Sequence, residues 1–346
     1  MKPINQPERK AALTKFSLFL ILSFCLLFLP FLFYRLVPEA APGPTPAPIV
    51  EDTTRSEPVN EAQLAELQQK LTDLAESLSQ INIMFLVDAT QGMETHLPAV
   101  AKAAQQVEQQ YPAEVMAACY RDAAEGAWLY MTNTMVGDDP ANWIQSLDTR
   151  AKFDKDEPEA LFYGLKRALQ SEELQPEETN ILILVGDAGN HAQEASTDVP
   201  SADIVQLLQA KNCHFAAYQV RNPNSNPTYA KFATQMHDEI FEPVKTNSGE
   251  QPFQEKDDAD AYGLAYMLDG GTKNLLYITN PSKSLPPDEL TTKINTFVTQ
   301  VLSPLQQQVA QIQALAQGES PSLDQATIDL LSQHQITEEQ LTILKQ

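Results

Sequence analysis

The chain has 346 residues, 43% of them hydrophobic, enough for one large domain or two small ones with a sizeable core. Its 46 acidic residues outnumber 23 basic ones, a formal net charge of −23 that excludes nucleic acid as a partner, because phosphate binding needs clustered Lys and Arg. Three cysteines make no disulfide framework: Cys25 lies in an apolar segment and Cys119 and Cys213 fall on different predicted strands, so all three are predicted to be free thiols.

Residues 1–15 read as a short cytoplasmic N-terminus and 16–36 as a transmembrane anchor. Lys15 and Arg35 bracket 19 uncharged, Leu- and Phe-rich residues, about one bilayer span as a helix. A cleaved signal peptide is the rival reading, but Arg35-Leu36-Val37-Pro38-Glu39 makes a poor cleavage site. Lys2, Arg9, Lys10 and Lys15 precede the span and only Arg35 follows closely, so the positive-inside rule leaves the bulk of the chain outside the cytoplasm. Every near match to an Asn-x-Ser/Thr sequon in that part is spoiled by Pro, which fits a bacterial periplasmic setting at the inner membrane.

Residues 37–60, with Ala41-Pro42-Gly43-Pro44-Thr45-Pro46-Ala47-Pro48, form a Pro/Ala-rich, semi-rigid linker. Over 61–80, Leu64, Leu67, Leu71, Leu74 and Leu78 recur at heptad spacing. Such a seam pairs chains into a short coiled coil, a route to a homo-oligomer, or packs against its own domain. From 81 to 316 the chain alternates strands (81–87, 114–121, 127–133, 180–186, 213–220, 273–278) with helices (near 92–110, 140–148, 158–171, 200–211, 227–237, 287–316). The predicted fold is α/β: a Rossmann-like, doubly wound, mostly parallel six-stranded sheet with one antiparallel edge strand. Residues 238–272, rich in acidic groups, read as a surface insertion. The tail, 317–346, holds two short amphipathic helices opened by the capping boxes Ser322-Leu323-Asp324-Gln325 and Thr337-Glu338-Glu339-Gln340.

The chemistry gathers at strand ends. Ile81–Val87 runs into Asp88-Ala89-Thr90-Gln91-Gly92-Met93, and Ile181–Val185 runs into Gly186-Asp187. Ligands of a doubly wound sheet bind outside the carboxyl ends of the strands at the switch point, which these two strands flank. A third loop, Asp154-Lys155-Asp156-Glu157-Pro158, supplies Asp156 near a helix start. Carboxylates gathered in a partly desolvated site need protons or a cation, and an all-oxygen set from Asp88, Thr90, Asp156 and Asp187 suits Mg²⁺, Mn²⁺ or Ca²⁺ over Zn²⁺. His191 and His96 read as structural or solvated.

The pattern Asp88-x-Thr90-x-Gly92-Met93, Asp156-Glu157-Pro158-Glu159-Ala160-Leu161 and Gly186-Asp187 resembles the von Willebrand factor type A domain family over roughly 81–310. Tyr120-Arg121-Asp122 and the Asp-Glu-Pro-Glu-Ala run also resemble bacterial members, including the domain attached to some type VI secretion kinases. The resemblance implies a metal-ion-dependent adhesion site. In it Asp88 and Asp187 hold the metal largely through water, Thr90 binds it directly, and Asp156 fills a position often held by Thr. An acidic residue of a protein partner would complete the coordination. Gly92 departs from the pattern, standing where the family usually has a liganding Ser.

The first reading is therefore a membrane-anchored, metal-dependent protein-binding module rather than an enzyme. A metal-free scaffold, acting through the Leu-heptad helix and the tail, is the alternative. A hydrolase using metal-activated water would need Glu157 or His191 as its base and ranks last.

Overall fold

The computed structural model describes residues 61–121, 131–132, 139–149, 159–190, 199–243, 260–268, 271–280 and 282–344. The expected anchor at 16–36, the linker, Cys25, Asp122, Asp156, Glu157 and His191 lie outside these residues. Among the described residues no helix is long and apolar enough to cross a membrane.

The elements follow the expected alternation. Helix α1 (Glu61–Ser79) leads into β1 (Ile81–Asp88), α2 (Leu97–Gln110), β2 (Glu114–Tyr120), β3 (Met131–Thr132), α3 (Pro140–Gln145), α4 (Leu161–Leu169) and β4 (Thr179–Gly186). Then come α5 (Ser201–Ala210), β5 (Cys213–Gln219), α6 (Pro227–Thr234), β6 (Asp260–Leu268), β7 (Gly271–Thr279), α7 (Pro287–Ala316), α8 (Gln325–Gln333) and α9 (Glu338–Leu344). Among the described residues the sheet has seven strands in the order β3-β2-β1-β4-β5-β7-β6. The five central strands are parallel and both edge strands antiparallel.

This corrects the expected six strands and single antiparallel edge. The additional strand, β6, lies in the segment read as a surface insertion and pairs with β7 along its whole length. Two helices also start later than their patterns predict. Gly92, at φ +113°, cannot continue a right-handed helix, so α2 starts only at Leu97, with a proline in its first turn. Glu159 bridges to Asn190 instead of opening α4.

Every residue of β1 and β4 is buried, as continuous apolar central strands require. Side chains alternate between the two faces. Ile83, Phe85 and Val87 pack with α2 and the first half of α7, whereas Met84 and Leu86 pack with α4, α5 and α6. Two other strands, β1 and β4, separate Cys119 on β2 from Cys213 on β5, and both cysteines are buried free thiols.

The Leu stripe of α1 is used inside the chain. Leu67, Leu71 and Leu74 are buried with Ile312 and Leu315 of α7, Leu330 and Leu331 of α8, and Leu341 and Leu344 of α9. Pairing two chains along this seam would expose those partners, so the coiled-coil reading of 61–80 gives way to intramolecular packing. The tail belongs to the same cluster. Its second cap forms as expected: Thr337 N–H donates to Gln340 Oε1 (2.9 Å) and Gln340 N–H to Thr337 Oγ1 (3.2 Å). The first is displaced: the N-cap of α8 is Asp324, which accepts from Thr327 N (2.8 Å), and not Ser322.

Candidate functional site

The carboxyl edge of the sheet brings Asp88, Thr90 and Asp187 together, each at most 4% exposed. Asp88 closes β1. Its Oδ1 accepts both the backbone N–H (2.9 Å) and the hydroxyl (2.6 Å) of Thr90, which locks the turn leaving the strand. Asp187 follows β4 directly. The Gln219 side chain holds its backbone in place: its Nε2 donates to Asp187 O (3.3 Å) and Tyr229 O (2.6 Å), while its Oε1 accepts from Tyr277 (2.7 Å) and Thr279 (3.0 Å). A buried amide with its partners supplied on both sides makes a rigid floor.

A basic residue completes the edge. Arg221, two residues past β5, reaches across the switch point. Its Nη2 donates to Gly92 O at 2.8 Å and its Nε lies 3.5 Å from Asp187 Oδ2. The space beside Gly92, where a side chain would project, is taken: a Cβ there would lie 2.9 Å from Arg221 Nη2 and 3.3 Å from Asp187 Oδ2. The guanidinium thus occupies the position that the family's liganding Ser would fill. About a third of the Arg221 side chain stays exposed, against 4% for Asp187, so the pair faces solvent from the arginine side.

Below this layer lies Tyr120, fully buried at the end of β2. Two glycines make room for its ring. A Cβ at Gly186 would fall 2.1 Å from the phenol oxygen, and one at Gly164 would fall 2.7 Å from Tyr120 Cβ. Burial first, then the carboxylates of Asp88, Asp187 and Glu159, hold the phenol well above its ordinary range. It therefore stays a neutral donor under a set of carboxylates. Glu159 is 2% exposed and is placed by its backbone N–H, which donates to Gly189 O at 2.9 Å. Next to it, Asn190 Oδ1 accepts from Phe162 N (3.0 Å), and Asn190 N donates to Gln235 Oε1 (2.8 Å) in a π-helical turn, Gln235–Phe241. His96 is buried rather than exposed, with Nε2 3.0 Å from Leu285 O. Burial lowers its pKa against the raising effect of that contact, and the nearby Arg221 charge lowers it further.

Of the sequence-derived site residues, Asp88, Thr90 and Asp187 converge and Asp156 lies outside the described residues. Arg221 is absent from the sequence-derived motifs, and Tyr120 and Glu159 stand in them only as carriers of the family resemblance, without a role at the site. The strand-end rule that found the two aspartates applies equally to Arg221.

The oxygen donors have the hardness a divalent cation prefers. The arrangement around them does not fit one as it stands. The Thr90 hydroxyl donates to Asp88 and keeps its oxygen lone pairs, but the guanidinium sits against Asp187. Among the described residues no group of three or more His, Cys, Asp or Glu is placed to hold a metal ion.

No curated protein matches the chain. The match that does appear is to a family: the model described as "TssR protein VWA domain" matches residues 65–317, most of the chain and all of the sheet. The family assignment agrees with the mostly parallel sheet and the aspartates at its carboxyl edge, and VWA domains commonly mediate protein–protein interaction. The chain belongs to the TssR protein VWA domain family.

Proposed function

We propose that this chain is a single-pass, membrane-anchored module whose VWA domain recognises a protein partner outside the cytoplasm without a resident metal, Arg221 taking the place of the cation. The observation that carries the reading is the guanidinium bound between Gly92 O and Asp187 at the switch point. A guanidinium has five N–H donors in a planar fork, so after these two contacts donors remain for a carboxylate of the partner. That chemistry keeps the family's preference for an acidic partner residue while removing the need for Mg²⁺. The anchor at 16–36 and the extracytoplasmic placement rest on the apolar span and the basic residues before it. The role is recognition and not turnover.

The test is photo-crosslinking in cells from a reactive group at position 94, beside the site, since Glu94 Oε2 accepts from Gly92 N at 3.0 Å. An adduct to a protein that survives EDTA and disappears in Arg221→Ala is the expected result. A second reading, in which Asp88, Thr90, Asp156 and Asp187 hold Mg²⁺, is favoured by the strand-end placement of three of these residues. It requires Arg221 to leave Asp187. An adduct that EDTA abolishes and Arg221→Ala preserves would establish that reading and overturn the first.

A further inference from the structure

The sheet ends on two very different strands. One edge, β3, is two residues long, whereas the other, β6, runs over Asp260–Leu268. β6 pairs with β7 on one side, and among the described residues no strand pairs with its other side. Its neighbour β7 is an interior strand: Leu275, Tyr277 and Ile278 are each 1% exposed, and even Lys273 is 6% exposed.

Two observations fix the backbone phase of β6. Leu268 and Gly271 flank a two-residue connection, which makes them a hydrogen-bonded pair, so Tyr266, Leu264, Tyr262 and Asp260 also direct their backbone groups to β7. Independently, Asn274 N donates to His214 Nδ1 on β5 at 3.1 Å, so Ala265, which lies opposite Asn274, is not hydrogen-bonded to β7. Ala261, Gly263, Ala265 and Met267 therefore hold their N–H and C=O groups out from the free edge. An edge of this length is a template for another strand, and proteins blunt such edges with Lys, Pro or another charge. Residues 261–268 contain none of these.

We infer that β6 is an interface between two copies of this chain, which pair antiparallel about a two-fold axis at Leu264. Three features select a second copy as the occupant. In that register Ala261 lies opposite Met267, and Gly263 opposite Ala265, of the other copy. Every outward residue meets an outward residue, and four such pairs exchanging two bonds each make about eight backbone hydrogen bonds. The contact is also closed: each copy uses up the other's long edge and only the two-residue β3 strands remain at the ends, so no further copy adds by this edge. Charge agrees. Asp260 is the one charged residue of β6, and the two-fold sets its two copies about 27 Å apart along the strands, beyond the screening length at physiological salt. A strand of another protein finds no charge along residues 261–268 by which to be selected. The interface uses neither the Leu stripe of α1 nor the adhesion-type site.

The test is sedimentation of the detergent-solubilised full chain, which should show a monomer–dimer equilibrium complete by about 100 μM. Ala265→Pro removes an N–H that β7 does not use, so the fold should persist while dimerisation weakens by about thirtyfold or more. The register has its own readout. In a Cys25→Ser background, Leu264→Cys places two thiols at a non-hydrogen-bonded pair about 4.5 Å apart between Cα atoms, so mild oxidation should link the copies. Leu268→Cys, which lies opposite Asp260 of the other copy, should not link. A chain that stays monomeric at about 100 μM would overturn the inference and leave the edge to another strand. A dimer indifferent to a folded Ala265→Pro variant, or one in which Leu264→Cys fails to link, would overturn it as well. If Ala265→Pro fails to fold, the contrast between Leu264→Cys and Leu268→Cys still decides it.

Discussion

Replacing Lys273 with Met exchanges an uncompensated buried charge for an apolar chain of similar length. The sign follows from linkage. The folded-state pKa, about 8, lies below the ordinary 10.5, so between these values the unfolded chain binds more protons than the folded one. Stability contributed by this group therefore rises with pH from about 8 to 10.5, and its penalty is fully present below pH 8. At about 1.4 kcal/mol per pH unit, the penalty amounts to about 3 kcal/mol. Cys213, whose charge is coupled to that of Lys273, works the other way. Burial pushes its thiol from 9.0 up to about 12, so the folded chain keeps a proton that the unfolded one loses, and stability falls over that range. The wild-type curve alone would thus show a muted slope, and the difference between wild type and Lys273→Met reads the lysine together with the smaller effect of its charge on the thiol. The assay is urea unfolding of both proteins from pH 6.5 to 10.5. Below pH 8 the variant should be more stable by up to about 3 kcal/mol, with the advantage shrinking as pH rises towards 10.5. A variant less stable than wild type at pH 7, or a pH-independent difference, would show that Lys273 is compensated in the folded chain and refute the reasoning.

Other perturbations test the site and the helical layer. Gly186→Ala should destabilise by about 3 kcal/mol or more in urea unfolding, since its Cβ would meet the Tyr120 phenol oxygen at 2.1 Å. Adding Tyr120→Phe removes the colliding atom, so the double variant should recover most of the loss; additive effects would exclude that contact as the cause. Arg221→Ala should cost about 1–2 kcal/mol of thermal stability, less than for a fully buried pair because the arginine is a third exposed; unchanged stability would argue that the ion pair contributes nothing. Leu71→Ala should cost about 2–5 kcal/mol with no change of oligomeric state by light scattering. A change of oligomeric state at constant stability would return the Leu stripe to a role between chains.

The sheet's functional edge was largely legible because one rule covers it: a continuous apolar run ending in a polar residue delivers that residue to the switch point. Asp88 ends β1 and Asp187 follows β4 directly, so both stand at that edge. Strand β6 was missed although Leu268 and Gly271 pair across a two-residue Asp-Gly connection, a strong hairpin signal. The acidic run Glu255-Lys256-Asp257-Asp258-Ala259-Asp260 abuts the strand and masks its apolar character in the sequence. The Leu heptad of α1 could not be resolved locally at all. The same seven-residue pattern serves a partner chain or α7, α8 and α9, which come more than two hundred residues later. Tertiary context alone decides between them.

Gly92 shows the deepest limit of local reading. Taken by itself it is a lost ligand, one hydroxyl fewer at a metal site. The fold turns that loss into an exchange. Glycine leaves the space that the Arg221 guanidinium enters, and its carbonyl, freed to point inward by a φ of +113°, accepts from that same guanidinium at 2.8 Å. Neither residue explains the other in sequence, where every element from α2 to β5 lies between them. Restoring serine alone would not restore a ligand, because the new Cβ would meet Arg221 Nη2 at 2.9 Å and would carry a backbone conformation that L-residues resist. On the proposed reading the two positions act as one unit, because a change at Gly92 alone leaves the guanidinium in place against Asp187.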